Sequence, residues 1–403
     1  MSEIDLLLSS LYFFPAYSGP SVRFRHYERG FLERGIRMRV FSSIAESEAL
    51  IPVGQLVAPE RIDGHILMER VCIPNTGSYR RNTIFTKAVV EYCQTTPPQI
   101  LHLLTLSQWS LFQLRSLRRL GIPTIYTHTM LGQLSSNPLK RRLQVVYWRL
   151  PFSMVDCVVT SSRTMQQELI NLGVTTRIEI IPNGVDTNRF RPLKNEAERS
   201  QLRKSLQLPK TGELVTFVGS LSYRKGIDVL LEAWTLVSQE YRNAHLVLVG
   251  PRFEDIRSQA LKSPFEARLR DLIATLEAQE QIVLTGVTNK VEDFLRVADL
   301  FVFPSRREGM PNVIPEAFAS GTPVIMTPFA GLPEEFGVAG RHYVLVDRDP
   351  KSLSNSILDM LRDRERRHAI AKNAVDYSNS NMAVQNSLDR YSELYRELLQ
   401  STS

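Results

Sequence analysis

Short runs of Val, Ile, Leu and Phe, each bounded by glycine, proline or polar residues, alternate along this chain with stretches of helical spacing. This is the pattern of a parallel sheet covered on both faces. The runs fall into two sets. The first comprises IDLLLSS from Ile4, RMRVFSS from Arg37, QILHLLT from Gln99, PTIYTH from Pro123, VDCVVTS from Val155 and RIEIIP from Arg177; the second comprises ELVTFVG from Glu213, HLVLVG from His245, QIVLTG from Gln281, DLFVFPS from Asp299, TPVIMT from Thr322 and HYVLV from His342. Between them, from about Thr187 to Thr211, the chain turns polar and charged and reads as a linker with a first short amphipathic helix. The pattern predicts an α/β fold of two Rossmann-like, doubly wound parallel-sheet domains facing each other across a cleft, with function on the loops that follow the strands. The expected division is a first domain over 1–187, a linker and first helix over 188–212, a second domain over 213–375, and a helical segment over 376–403 that returns to the first domain. In that last segment Tyr391, Leu394, Tyr395, Leu398 and Leu399 form one apolar stripe at helix spacing.

Length and composition agree with this division. A chain of 403 residues exceeds what one core serves, and 43% apolar with 23% charged residues is ordinary for a soluble protein. No stretch of ~20 apolar residues offers a membrane span. The first apolar run, Ile4 to Ala16, follows Glu3 and contains Asp5, and the first basic residue is Arg23, so it lacks a signal peptide's charged start and reads as a strand. Cys72, Cys93 and Cys157 are odd in number and far apart. That argues against a disulfide framework or a clustered metal site and for a reducing, cytoplasmic setting.

The chemistry concentrates in FVFPSRREGMPNVIPEAFASGTPVI, from Phe301 to Ile325. A buried strand ends at Pro304, Glu308 stands in the following loop, and Asn312 is placed to cap a helix whose first turn holds Pro315 and Glu316. Gly321 stops that helix. A carboxylate in such a loop can accept hydrogen bonds from sugar hydroxyls, a second on the helix can do so for ribose hydroxyls, and free helix amides favour a phosphate. Upstream, the strand from Glu213 ends at Gly219, and a loop bearing Arg224, Lys225 and Gly226 leads into a helix with Asp228 in its first turn. Two cations and a glycine at a helix entrance suit a diphosphate.

These segments resemble the retaining nucleotide-sugar glycosyltransferases of family 4, of GT-B fold. EGMPNVIPEAFASGTPVI is similar to that family's motif of two acids with seven residues between them, FVGSLSYRKGIDVLLEAW from Phe217 to its phosphate segment, RIEIIPNGVDTNRFRP from Arg177 to its strand before the linker, and GIPTIYTHTM from Gly121 to its central histidine segment. The resemblance implies a donor site made by Gly19, Gly219, Arg224, Lys225, Glu308, Gly309, Met310, Pro311, Asn312 and Glu316, with His128, Lys225 and Glu308 as catalytic residues. His128 would stand beside the transferred sugar, with His102 a weaker candidate. Ser220 departs from the family pattern, where an arginine is usual, and Arg224 is the candidate to supply that charge. Backbone around Gly286 to Lys290 would meet the base.

The implied activity moves a sugar from a nucleotide-diphosphate sugar, as co-substrate, to a glycan or lipid-linked acceptor, as in cell-surface polysaccharide or glycolipid synthesis. Reaction would proceed on one face of the sugar, the departing diphosphate oxygen taking the acceptor's proton. No resident cofactor, metal ion or nucleic-acid partner is expected. A catalytically silent sugar-nucleotide-binding subunit, or an epimerase or phosphorylase of similar architecture, remains an alternative; a dehydrogenase does not, because no Gly-x-Gly-x-x-Gly follows a predicted strand. Charge adds one feature: residues 1–190 hold 21 Lys plus Arg against 14 Asp plus Glu, whereas residues 191–403 hold 28 of each. The segment NPLKRRLQVVYWRLPF from Asn137 mixes Lys140, Arg141, Arg142 and Arg149 with Val145, Val146, Tyr147, Trp148 and Leu150. It suits peripheral contact with an anionic membrane at the inner face of the cytoplasmic membrane, or a basic helix packing Trp148 inward.

Overall fold

The computed structural model describes residues 3–14, 19–49, 51–107, 111–129, 137–251, 264–277, 280–329 and 332–402. The chain divides into two compact units, Met1–Asn183 with Gln385–Ser403, and Gly184–Val384. In the first, β1 (Ile4–Ser9), β2 (Ile36–Ala45), β3 (Leu56–Ile62), β4 (Ile66–Ile73), β5 (Ile100–Leu103), β6 (Thr124–Thr127), β7 (Cys157–Thr160) and β8 (Arg177–Ile180) form one sheet in the order β3-β4-β2-β1-β5-β6-β7-β8. In the second, β9 (Glu213–Val218), β10 (Ala244–Val249), β11 (Ile282–Gly286), β12 (Leu300–Phe303), β13 (Val324–Met326) and β14 (Val344–Leu345) lie in the order β11-β10-β9-β12-β13-β14. Every pairing is parallel except β3 with β4.

Both faces of these sheets are covered, which is why the strands read as unbroken apolar runs: β5, β7 and β12 are buried at every position. The run expected from Ile4 to Ala16 ends as a strand at Ser9, and residues 15 and 16 lie outside the described residues. The β3–β4 hairpin has no counterpart among the expected strands. β3 is an edge strand with Pro59 inside it and only Ile62 buried, so it carries no apolar alternation.

The boundaries also differ from expectation. Residues 188–212 belong to the second unit and are not a free linker. Asn195 caps the helix Glu196–Ser205, Arg199 is 2.6 Å from Asp299, and Leu202, Leu206 and Leu208 pack with Leu214, Val247 and Phe294. The terminal helical segment is likewise split. Residues 376–384 stay with the second unit, where the Val185 amide donates to the Met382 carbonyl at 2.8 Å, and only Gln385 onward joins the first. There the helix Val384–Thr402 lays Tyr391 and Tyr395 against Phe24 and Phe31 of the helix Gly19–Glu33, with ring centroids 5.3 and 5.9 Å apart.

In each sheet the chain builds outward on one side of its first strand and then crosses to the other. The order therefore reverses between β1 and β5 in the first unit and between β9 and β12 in the second. Such reversals open a crevice at the carboxyl ends of the strands, where ligands bind.

Candidate functional site

At the carboxyl edge of the second sheet, the loops after β9 and β12 are locked together across this reversal. Gly226 has φ 70°, and a Cβ there would lie 2.0 Å from the carbonyl oxygen of Pro304, so only glycine admits the approach. The approach seats the turn Tyr223–Lys225 on the loop after β12. The Arg224 carbonyl accepts from the Arg306 amide at 2.9 Å and from the Ser305 hydroxyl at 3.1 Å, while the Arg306 guanidinium pairs with both oxygens of Asp228 at 2.8 and 2.7 Å. Arg348 adds a bond to the Ser305 carbonyl at 3.1 Å.

The clamp brings the expected charges into contact. One oxygen of Glu308, Oε1, receives Lys225 Nζ at 2.8 Å, Arg224 Nη1 at 2.8 Å and the Ser305 hydroxyl at 2.7 Å. Its Oε2 has no protein partner among the described residues. Lys225 also stands 5.6 Å from the Phe303 ring centroid. Gly219, with φ 150°, follows β9 beside Lys225, and among the described residues the Ser220 hydroxyl meets Ser222 at 3.3 Å.

Glu316 stands in the first turn of the helix Val313–Ala319. Its carboxyl makes no hydrogen bond to any described residue, and dense surrounding protein pushes its pKa up to about 7; Arg189 draws it back down and Glu292 opposes that. The intervening loop deviates from expectation in one respect. Asn312 has helical backbone angles and makes no side-chain capping bond; its carbonyl accepts the Glu316 amide at 3.1 Å. Met310 and Pro311 are buried, Met310 in the core with Phe303 and Phe318, so they would reach a ligand through backbone rather than side chain. Gly309 keeps partial exposure. The loop after β11 shares this edge, and its Asn289 carbonyl accepts from Arg189 at 3.2 Å.

The first unit supplies a different kind of edge. His128 follows β6, buried against Phe152 and Tyr126, its Nδ1 3.4 Å from the Tyr126 hydroxyl and its Nε2 covered and without a hydrogen-bond partner among the described residues. Burial lowers its pKa to about 4, so the ring is neutral. Contact with a sugar would require its cover to open. His102 is not a sugar contact: fully buried, it bonds Tyr395 through Nδ1 and Thr127 through Nε2, both at 2.7 Å, and burial lowers its pKa to about 3. Gly19 begins its helix with open space where a Cβ would stand, so packing within the chain does not demand glycine there.

Ser305, Arg306, Asp228 and Arg348 are the residues that sequence reasoning passed over or left without a role. Only the RR doublet after FVFPS hinted at them, because the partners that join these loops lie 43 to 83 positions apart. One Asp-x-Asp triplet, Asp347-Arg348-Asp349, does occur; Asp349 caps the helix Pro350–Arg362 by accepting from Lys351 and Ser352. Cys72, Cys93 and Cys157 are buried free thiols, with burial raising Cys93 and Cys157 to about 12. No helix among the described residues is long and apolar enough to cross a membrane.

Comparison with known proteins completes the case. Residues 17–189 match Glycosyltransferase Family 4 and residues 198–376 match Glycosyl transferases group 1, together most of the chain. A D-inositol 3-phosphate glycosyltransferase of Thermobispora bispora is 29% identical over 295 residues, covering 70% of this chain and 67% of the relative. The chain spans between 36% and 67% of the length of the first curated relatives it matches. Sucrose-phosphate synthase from Thermosynechococcus elongatus superposes with a TM-score of 0.79 at 21% identity, covering 98% of this chain and 99% of that one. Anabaena Alr3699/HepE in complex with UDP and glucose does so with a TM-score of 0.74 at 19% identity, covering 97% and 99%. The two matched halves, the two reversed parallel sheets and the GT-B neighbours agree: this chain belongs to the group 1, family 4 glycosyltransferases.

Proposed function

We propose that the chain transfers a hexose-type sugar from a nucleotide diphosphate to a glycan or lipid-linked acceptor, with retained anomeric configuration and without a metal ion. One observation carries the proposal: at the β9–β12 reversal two cations converge on one oxygen of Glu308, while the Glu316 carboxyl, eight residues on, makes no hydrogen bond to any described residue. An incoming diphosphate offers Lys225 and Arg224 a second anion. Glu308 then keeps Oε2 for a sugar hydroxyl, and Glu316 accepts ribose hydroxyls in place of water. As the bond from the anomeric carbon to the diphosphate oxygen breaks, negative charge grows on that oxygen next to Lys225 and Arg224. The acceptor hydroxyl attacks from the same face and passes its proton to the departing oxygen, so no protein nucleophile takes part. HepE, crystallised with UDP and glucose, supports a nucleotide-sugar donor.

For the acceptor, the helix Pro138–Phe152 is the relevant surface. Val145 and Trp148 pack against the core, whereas Leu139, Leu143, Val146 and Leu150 form an exposed stripe beside exposed Lys140 and Arg142. An apolar stripe flanked by cations fits the headgroup boundary of an anionic membrane, where a lipid-linked acceptor resides.

A panel of nucleotide sugars tests the donor reading without knowledge of the acceptor. Slow donor hydrolysis is followed by nucleotide release and by NMR of the freed sugar. Wild-type protein should release nucleotide from at least one donor with the anomeric configuration kept. Glu308→Gln should slow release about ten- to a hundredfold while sparing nucleotide affinity, and Lys225→Ala should weaken nucleoside diphosphate far more than nucleoside. No release from any donor, or an inverted product, defeats the proposal.

A further inference from the structure

A cavity of about 560 Å³ opens at the opposite, amino-terminal edge of the second sheet. Glu213, the first residue of β9, and Asp299 and Pro323, which directly precede β12 and β13, lie on its wall. β9 spans six residues, so roughly 20 Å separates this cavity from Lys225 and Glu308. Its volume is in the range that holds a small metabolite.

Along the helix Arg364–Asn381, Arg364, His368 and Lys372 face the cavity at successive intervals of four residues. Arg364 and Lys372 have no ion-pair partner among the described residues. Other cations on the wall are already occupied: Arg199 pairs with Asp299, Arg296 with Glu198 and Asp293, and Arg367 donates to the Met360 and Leu361 carbonyls. Asp376, one turn beyond Lys372 on the same helix, adds an exposed carboxylate to the wall.

We infer that this cavity binds a sugar phosphate, its phosphate held by Arg364, His368 and Lys372 and its hydroxyls by Asp376. A bare anion would leave most of the volume and Asp376 unused. A neutral sugar would leave the cations unmatched. Ser320 and Gly321 end the short helix whose first turn holds Glu316, and the Arg364–Asn381 helix packs on that same helix. A ligand here touches an element that begins at the donor edge, which makes the cavity an effector site.

Calorimetric titration of the whole chain with glucose 6-phosphate, fructose 6-phosphate and mannose 6-phosphate, with glucose and inorganic phosphate as controls, tests the inference. At least one sugar phosphate should bind more tightly than either control. Arg364→Ser with Lys372→Ser, both exposed, should weaken it at least tenfold with an unchanged melting temperature, and Lys225→Ala should leave it unaltered. Absence of binding, affinity matched by inorganic phosphate, or binding that survives the double substitution but is lost in Lys225→Ala would each overturn it. None of these readouts depends on glycosyl transfer, so failure here leaves the proposed activity standing.

Discussion

The two units present carboxyl edges built on opposite electrostatic plans. In the first, His102 in β5 and His128 after β6 are held neutral by burial, His102 with both ring nitrogens bonded inside the core and with the charge of buried Arg23 lowering its pKa further. In the second, a cluster of cations and carboxylates is packed across a strand reversal, with the Glu316 carboxyl hydrogen-bonded to no described residue. The same doubly wound architecture therefore carries buried neutral histidines in one unit and a poised charge array in the other. Sheet topology alone does not separate the two. In the second unit a single glycine brings the charges together.

The largest expected effect tests that glycine. Gly226→Ala forces a Cβ into the Pro304 carbonyl at positive φ, and should destabilise the second unit by about 3 kcal/mol or more and abolish donor turnover. Gly19→Ala, facing open space, should change stability by under about 1 kcal/mol. Thermal melts of both proteins decide it, and equal melting temperatures would remove the contrast.

Opposite pH dependences come next. Glu316 is raised from 4.5 to about 7, so the unfolded chain loses its proton first; the stability this group adds below pH 4.5 is lost as pH climbs to about 7. At pH 8 the second unit should carry a penalty on the order of 1–3 kcal/mol that Glu316→Gln relieves, while nucleotide affinity in the wild type rises through pH 7 as the carboxylate forms. His102 and His128 are lowered from 6.5 to about 3 and 4, so the unfolded chain binds protons more readily below 6.5. The first unit should then lose about 1–2 kcal/mol per histidine between pH 6.5 and 5. Hydrogen exchange of β5 and β12 amides reads the two separately. Slopes of the same sign in both sheets would contradict the assignment.

The smallest effect concerns the exposed stripe. Replacing Leu139, Leu143 and Val146 by serine should weaken sedimentation with anionic vesicles about ten- to a hundredfold at low salt, with the melting temperature unchanged. Binding to neutral vesicles as strong as to anionic ones would argue against the cationic flank.

Sequence pattern revealed twelve of the fourteen strands because most of them are covered by protein and announce themselves as apolar runs. The β3–β4 hairpin stayed hidden because its outer strand sits in water and carries Pro59. Glu308, Glu316 and Lys225 were legible from local context, each beside a strand end and a helix start. The clamp was not, since Gly226 meets Pro304 and Arg306 meets Asp228 across 78 positions of chain, and spacing in sequence carries no trace of such a contact. Helix periodicity showed an apolar face from Asn137 but not which half of it the core takes. Trp148 and Val145 turn inward and Leu139 and Leu143 outward, a choice made by the neighbouring sheet.

The aromatic seam between the helices Gly19–Glu33 and Val384–Thr402 bears on the order of events at the ribosome. When residues 1–183 have emerged, Phe24, Phe31 and His102 still lack Tyr391 and Tyr395, which are about 200 residues from being made. The second unit, contiguous in sequence, can close its core as it appears, whereas the first waits with an open apolar face. Nascent chains paused short of Tyr391 should therefore recruit chaperone through their earliest-made part, and a protease would nick the half that was synthesised first.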